Sequence, residues 1–139
     1  MSLSDWLLAL HVLSAIILIG SLTALWALIV ATRPAAPLIA AESARAYGRL
    51  AGPLVGVGMV GTILLGIWLA IDLERYHPWD AWIVASIVLW AVGGWAGGKA
   101  GREFDRDPVG GRPAGIRYQA FLSLAVVVIL VLMIWKPGA

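Results

Sequence analysis

Cysteine is absent from these 139 residues, and charge is scarce: Asp, Glu, Lys and Arg make up only 13% of the chain. The first absence excludes disulfides, thiol catalysis and cysteine-ligated metal centres. The second excludes an ordinary soluble domain, in which about 25% of residues are charged and roughly 45–50% apolar; here 61% are apolar. Where charge is missing matters more than the total. The stretches 6–32, 50–71, 81–98 and 118–135 contain none of the ten Lys/Arg and none of the eight Asp/Glu residues. Without an intramembrane carboxylate there is no proton relay of the Asp/Glu type, and without a buried cation nothing holds an anionic substrate. A net charge of +2 carries no signature of nucleic-acid binding.

What is present is hydrocarbon-compatible surface. Each of the four stretches supplies about the 20 apolar residues that cross a bilayer core of roughly 30 Å. Hydrocarbon offers no partner to free backbone groups, so a span is either a helix or part of a closed barrel. Barrel strands alternate apolar and polar residues, and the run 125–131 does not. The sequence therefore predicts an all-α fold: a polytopic four-transmembrane-helix bundle forming a single domain, 1–139. The first run exceeds the 7–15 residues of a signal-peptide core and follows Asp5 rather than a basic segment, so it reads as a retained helix.

Orientation follows from the basic residues. Arg33, Arg45 and Arg49 lie between spans 1 and 2, and Lys99, Arg102, Arg106, Arg112 and Arg117 between spans 3 and 4. Only Arg75 and Lys136 lie on the other side, which predicts an N-out/C-out topology in a bacterial inner membrane. Trp6, Trp68, Trp79, Trp82 and Trp135 fall at the outer ends of their spans, Trp26 and Trp95 toward the inner ends, and Trp90 alone near mid-membrane. Such aromatic girdles anchor helices at the two interfaces. Between spans 1 and 2, the segment at about 35–50 has the spacing of a short amphipathic helix on the inner surface that feeds into span 2. Glu42 there can pair with Arg45 or Arg49, and Pro53 stands near the first turn of span 2 or at a bend.

Glycine supplies the packing signals. Gly56-Val57-Gly58-Met59-Val60-Gly61 matches the glycine pattern of dinucleotide-binding loops, but that chemistry needs a strand before it and an open helix N-terminus. Inside an apolar span the better reading is close helix approach. Gly52 and Gly56 form one small-residue step, and Gly93, Gly97 and Gly101 another at matching depth. Either spans 2 and 3 meet there, or one patch is a seam between copies. Span 1 has two faces: Ser14, Leu18, Ser21 and Leu25 share the azimuth of His11, while Ala9, Gly20, Ala24, Ala27 and Ala31 lie opposite. Both faces suit protein better than lipid, which points to a homo-oligomer or a larger membrane complex within the lipid bilayer.

His11 is the one side chain inside the four stretches that can change its charge. It is either a neutral, hydrogen-bonded core histidine or a ligand to haem iron or another metal. The only other histidine, His77, falls in the outer loop on the same side, so a two-histidine site is conceivable there. Met59 and Met133 are far apart in sequence and form no local cluster. Ser14, Ser21, Thr23, Thr62, Ser86 and Ser123 have no adjacent base, and the expectation is that they bond carbonyls one turn back in their own helices.

His11 through Gly20, Trp82-Ile83-Val84-Ala85-Ser86 at the start of span 3, and Trp135-Lys136-Pro137 together resemble a bacterial family of uncharacterised four-helix predicted integral membrane proteins. More distantly, the chain is similar to copper-resistance-D-like proteins and to the bacterial membrane protoporphyrinogen oxidase. In those relatives the first helix carries His, a Trp seven residues later, then Gly; His11 and Gly20 match, and Leu18 stands in the Trp position. The resemblance implies haem b as the candidate cofactor of His11. It also implies basic residues in helix 3, where this chain has none before Lys99. The leading expectation is a non-enzymatic membrane protein, self-associating or accessory to a larger complex. The alternatives are a haem- or metal-binding protein using His11 with His77, and a small transporter or channel.

Overall fold

The structure is a computed structural model that describes residues 2–31, 37–72, 79–106 and 112–136. Four helices account for nearly all of them: α1 (Leu3–Ala31), α2 (Pro37–Asp72), α3 (Ala81–Arg106) and α4 (Arg112–Trp135). All four are long and apolar enough to cross a membrane. No strand occurs among the described residues, and the chain is an all-α polytopic bundle.

Local chemistry sets the helix ends. Ser2 and Asp5 cap α1 reciprocally: Ser2 N donates to Asp5 Oδ2 at 2.7 Å and Asp5 N donates to Ser2 Oγ at 3.2 Å. At α3, the Asp80 carbonyl accepts from Ile83 N and Val84 N. α4 closes where Lys136 turns into the left-handed region, at φ 40°, while its N–H donates to the Leu132 carbonyl at 2.8 Å.

Two helices run longer than hydropathy alone indicates. The segment 37–50 is helical and runs on into the second span as one 36-residue helix with Pro53 inside it. Proline there removes only the bond to the Arg49 carbonyl, which the rest of so long a helix tolerates. The side chains of Glu42 and Arg45 lie outside the described residues. α3 passes the apolar limit at residue 98 and ends at Arg106, since Lys99, Arg102 and Glu103 are good helix formers that need no apolar face once outside hydrocarbon.

The helices run antiparallel in two tight pairs, α1 with α2 and α3 with α4, joined by a lighter α2–α3 contact. A core of Leu18, Leu22, Val55, Met59, Leu122 and Val126 brings α1, α2 and α4 together, and Trp90 of α3 packs against it. Two indole N–H groups tie the pairs. Trp26 Nε1 donates to Ser123 Oγ, and Trp90 Nε1 to the Met59 carbonyl, each at 2.9 Å. Ile16, Leu64, Val88 and Leu124 point outward, the apolar surface a bilayer requires. Trp6, Trp68, Trp79 and Trp135 are exposed at the end of the bundle carrying both termini, whereas Trp82 is buried against its neighbours.

Candidate functional site

The site grows from the α1–α2 seam. Three glycines of α2 meet three residues of α1 in antiparallel register. A Cβ on Gly58 would fall 2.8 Å from the Leu18 backbone, one on Gly61 2.5 Å from Ser14 Oγ, and one on Gly66 3.0 Å from His11 Cε1. A Cβ at these points crowds its neighbour, so α1 lies directly on α2 and the Cε1–Nδ1 side of the imidazole abuts Gly66. The face of α1 carrying His11, Ser14, Leu18 and Ser21 is turned inward. The opposite side, with Ala9, Gly20, Ala24 and Ala27, is exposed.

Beside His11 lies a cavity of about 60 Å³ to which all four helices contribute: His11 from α1, Met59 and Thr62 from α2, Ser86 and Trp90 from α3, Met133 from α4. A smaller recess of about 30 Å³ between α2 and α3 shares Thr62, Ser86 and Met133. The walls are mainly aliphatic, and no carboxylate, Lys or Arg stands among them. The hydrogen bond from Trp90 to the Met59 carbonyl holds the indole in place as one wall.

Hydrogen bonding marks two atoms here, though not here alone, since Gln119 Nε2 of α4 is also buried without a partner. Ser14, Ser21, Thr23, Ser86 and Ser123 each donate to the carbonyl four residues back, at 2.7–2.9 Å. Thr62 does not: its Oγ1 is buried with no hydrogen-bond partner, and so is His11 Nδ1. Both residues line the same cavity. A buried polar atom left unpaired costs about 1–3 kcal/mol, so two of them on one cavity wall call for an explanation.

Cavity volume decides what fits. A water needs roughly 10–15 Å³ of such space, so about 60 Å³ takes a few waters or one ion with side chains as its shell. Pockets for drug-sized ligands span about 300–1,000 Å³, and a porphyrin is not accommodated beside His11 in this packing. The second histidine of the sequence reading, His77, lies outside the described residues. Among the described residues no group of three or more His, Asp and Glu gathers to hold a metal.

The small residues named from sequence sort into two sets. Gly93 faces Ala125 Cβ at 3.3 Å and Leu122 at 3.4 Å, and Gly97 faces Leu122 at 3.0 Å, so both serve the α3–α4 seam. Gly20, Gly52, Gly56 and Gly101 have no atom within 4 Å of where a Cβ would stand, and Ala24 is exposed. The glycine patches of spans 2 and 3 do not face one another; the α2–α3 contact at this depth is Gly94 against Met59, with the Met59 Cε 3.6 Å from the Gly94 Cβ position. Sequence reasoning passed over Gly66 altogether. It also set Met59 and Met133 aside as too far apart in sequence, though both line the same cavity, from α2 and α4.

A family model described as predicted integral membrane protein (DUF2269) matches residues 5–97, more than half of the chain. The chain belongs to this family. The DUF2269 match covers nearly all of α1, the whole of α2 and the membrane part of α3, and so takes in His11, Met59, Thr62, Ser86 and Trp90 but not Met133. Membership establishes a multi-pass integral membrane protein and assigns no reaction. It gives no support to the more distant similarity with copper-resistance-D-like proteins or the protoporphyrinogen oxidase. No curated protein and no solved structure matches the chain.

Proposed function

We propose that this protein is a bacterial plasma-membrane binding protein without a catalytic cycle of its own, and that the cavity beside His11 is its ligand site. One observation carries the reading: the unpaired Nδ1 of His11 and the unpaired Oγ1 of Thr62 belong to two residues that line one cavity, whose other hydroxyl, Ser86, is satisfied. Mainly apolar walls with a few polar groups are the ordinary make-up of a small-ligand site. The absence of charged side chains among the lining residues favours binding over acid–base work. With both termini outward, as the basic residues indicate, the cavity lies in the outer half of the membrane.

The test is a thermal-shift and metal-content survey of the full chain in mild detergent, across monovalent and divalent ions and small neutral solutes. A ligand of this site raises Tm in the wild type, by about 2–4 °C for each kcal/mol of linkage. The rise is expected to vanish in His11→Ala and shrink in Thr62→Val. A panel in which nothing moves the wild-type Tm, or in which both variants respond as the wild type does, overturns the reading.

Self-association is a second reading, favoured by the open small-residue surface at Gly20, Ala24, Gly52 and Gly56. Helix contacts in lipid form where small residues let backbones approach. Light scattering in detergent is expected to show a dimer or higher species that Gly20→Leu and Gly56→Leu each dissociate. A monomer at all protein concentrations sinks this second reading.

A further inference from the structure

We propose that one stripe of α3, at the end of the bundle remote from the termini, is a docking site for the headgroup of an anionic phospholipid, formed by Trp95, Lys99 and Arg102. This site is separate from the His11 cavity and stands or falls without it. Azimuth is the first observation. At 100° per residue, Trp95, Lys99, Arg102 and Arg106 fall within roughly 60° of one another, and they include every cation of α3. Glu103 and Asp105 stand roughly 70–90° to either side. Membrane orientation asks for cations at one end of a span but for no shared face. Like charges three or four residues apart on a helix repel, so an anion lying along this row relieves it.

Depth selects the kind of anion. Lys99 stands just past the apolar stretch 81–98, and Trp95, one turn deeper, is exposed. The ammonium is kept at that boundary, its Nζ 5.9 Å from the centre of the Trp95 ring. Tyr118 of α4 sets the ring in turn, edge to face, with centroids 5.8 Å apart and planes at 89°. Arg102 and Arg106, both exposed, continue the row out of hydrocarbon. Cations beside an exposed indole suit a molecule that is anionic at one end and apolar at the other. A soluble acidic protein reaches the arginines but not an indole within an apolar span. A phospholipid covers both, its phosphate between Lys99 and Arg102 and its acyl chains along Trp95.

The neighbouring helix supplies a control. Gly97 meets Leu122 and Phe104 meets Gly115 across the α3–α4 seam, so Arg102 is level with Arg117. Arg117 is exposed as well, but it stands roughly 150° round α4 from Gly115 and Leu122, away from α3. The test is native mass spectrometry of the full chain in mild detergent, titrated with phosphatidylglycerol or with phosphatidylcholine of the same acyl chains, with and without inorganic phosphate. The variants are Lys99→Gln, Arg102→Gln and Arg117→Gln, each checked for unchanged helicity. Phosphatidylglycerol is expected to bind about tenfold more tightly than phosphatidylcholine, about fivefold more weakly in Lys99→Gln and in Arg102→Gln, and unchanged in Arg117→Gln. Equal affinity for the two lipids overturns the proposal. So does an equal loss in Arg117→Gln, the mark of a diffuse field with no site. Displacement of phosphatidylglycerol by inorganic phosphate at matching concentration overturns the lipid assignment, because the acyl chains would then have no part in binding.

Discussion

The α1–α2 and α3–α4 seams use the same device, glycine at a helix crossing, but what each glycine meets differs. In the first pair Gly58 faces the Leu18 backbone at 2.8 Å, Gly61 a serine hydroxyl and Gly66 an imidazole ring. In the second, Gly93 and Gly97 face the side-chain ends of Leu122 and Ala125 at 3.0–3.4 Å. A backbone cannot step aside, whereas a leucine methyl can rotate or shift. The first seam is therefore rigid and polar-bearing, and it presents His11 and Thr62 to the cavity. The second meets side chains instead: Leu122 methyls that can shift, and the Phe104 ring 2.8 Å from the Gly115 Cβ position. The cavity lies between the two pairs, with its polar residues His11 and Thr62 supplied from the first seam and Ser86 and Trp90 from α3.

Alanine substitutions at the glycines grade this contrast, with unfolding in mixed detergent as the readout. Gly58→Ala is expected to cost most, about 2–3 kcal/mol, because Leu18 Cα and N cannot retreat without moving α1. A near-neutral Gly58→Ala would mean that α1 slides freely, and would break the rigid-seam description. Gly66→Ala comes next, at roughly 1–2 kcal/mol, since the ring of His11 must turn away. It carries a second signature, a changed imidazole resonance in NMR spectra of histidine-labelled protein, which Gly97→Ala should lack.

Gly97→Ala is expected to cost less than about 1 kcal/mol, with Leu122 adjusting its Cδ2. A loss as large as that of Gly58→Ala would erase the difference between the seams. Smallest of all is Gly56→Ala, where nothing lies within 4 Å; higher helix propensity should leave stability unchanged or raise it by up to about 1 kcal/mol. A marked loss there would instead place another chain against this face.

Much of the architecture was legible in the sequence because hydrophobic length is a one-dimensional property. The four spans needed no contacts to be recognised, but the two faces of α1 both suited protein, and only the structure turns the one with His11, Ser14, Leu18 and Ser21 inward. Helix ends were less legible: α3 runs on to Arg106, since polar residues stay helical beyond hydrocarbon and hydropathy says nothing about them. Of the site, His11 stood out as the lone ionisable residue in the apolar stretches. Thr62 did not, because nothing in a sequence tells a hydroxyl that bonds its own helix from one that finds no acceptor. Glycine patterns revealed that close packing occurs but misplaced much of it. Gly52 and Gly56 matched the small-xxx-small spacing, yet Gly58, Gly61 and Gly66 carry the α1–α2 contact.

By itself, then, the sequence determined a four-span helical membrane protein, because the hydrocarbon core demands apolar length and internally paired backbone whatever the neighbours are. It also determined that His11 would be the chemically exceptional residue within the spans. Only the tertiary structure decided that Gly66 makes room for the imidazole, that Thr62 stays unpaired, and that Met59 and Met133 line the same cavity as both. The physical reason is that which residues meet across a seam depends on the rotation and register of each helix against its neighbours, quantities settled by contacts between distant parts of the chain.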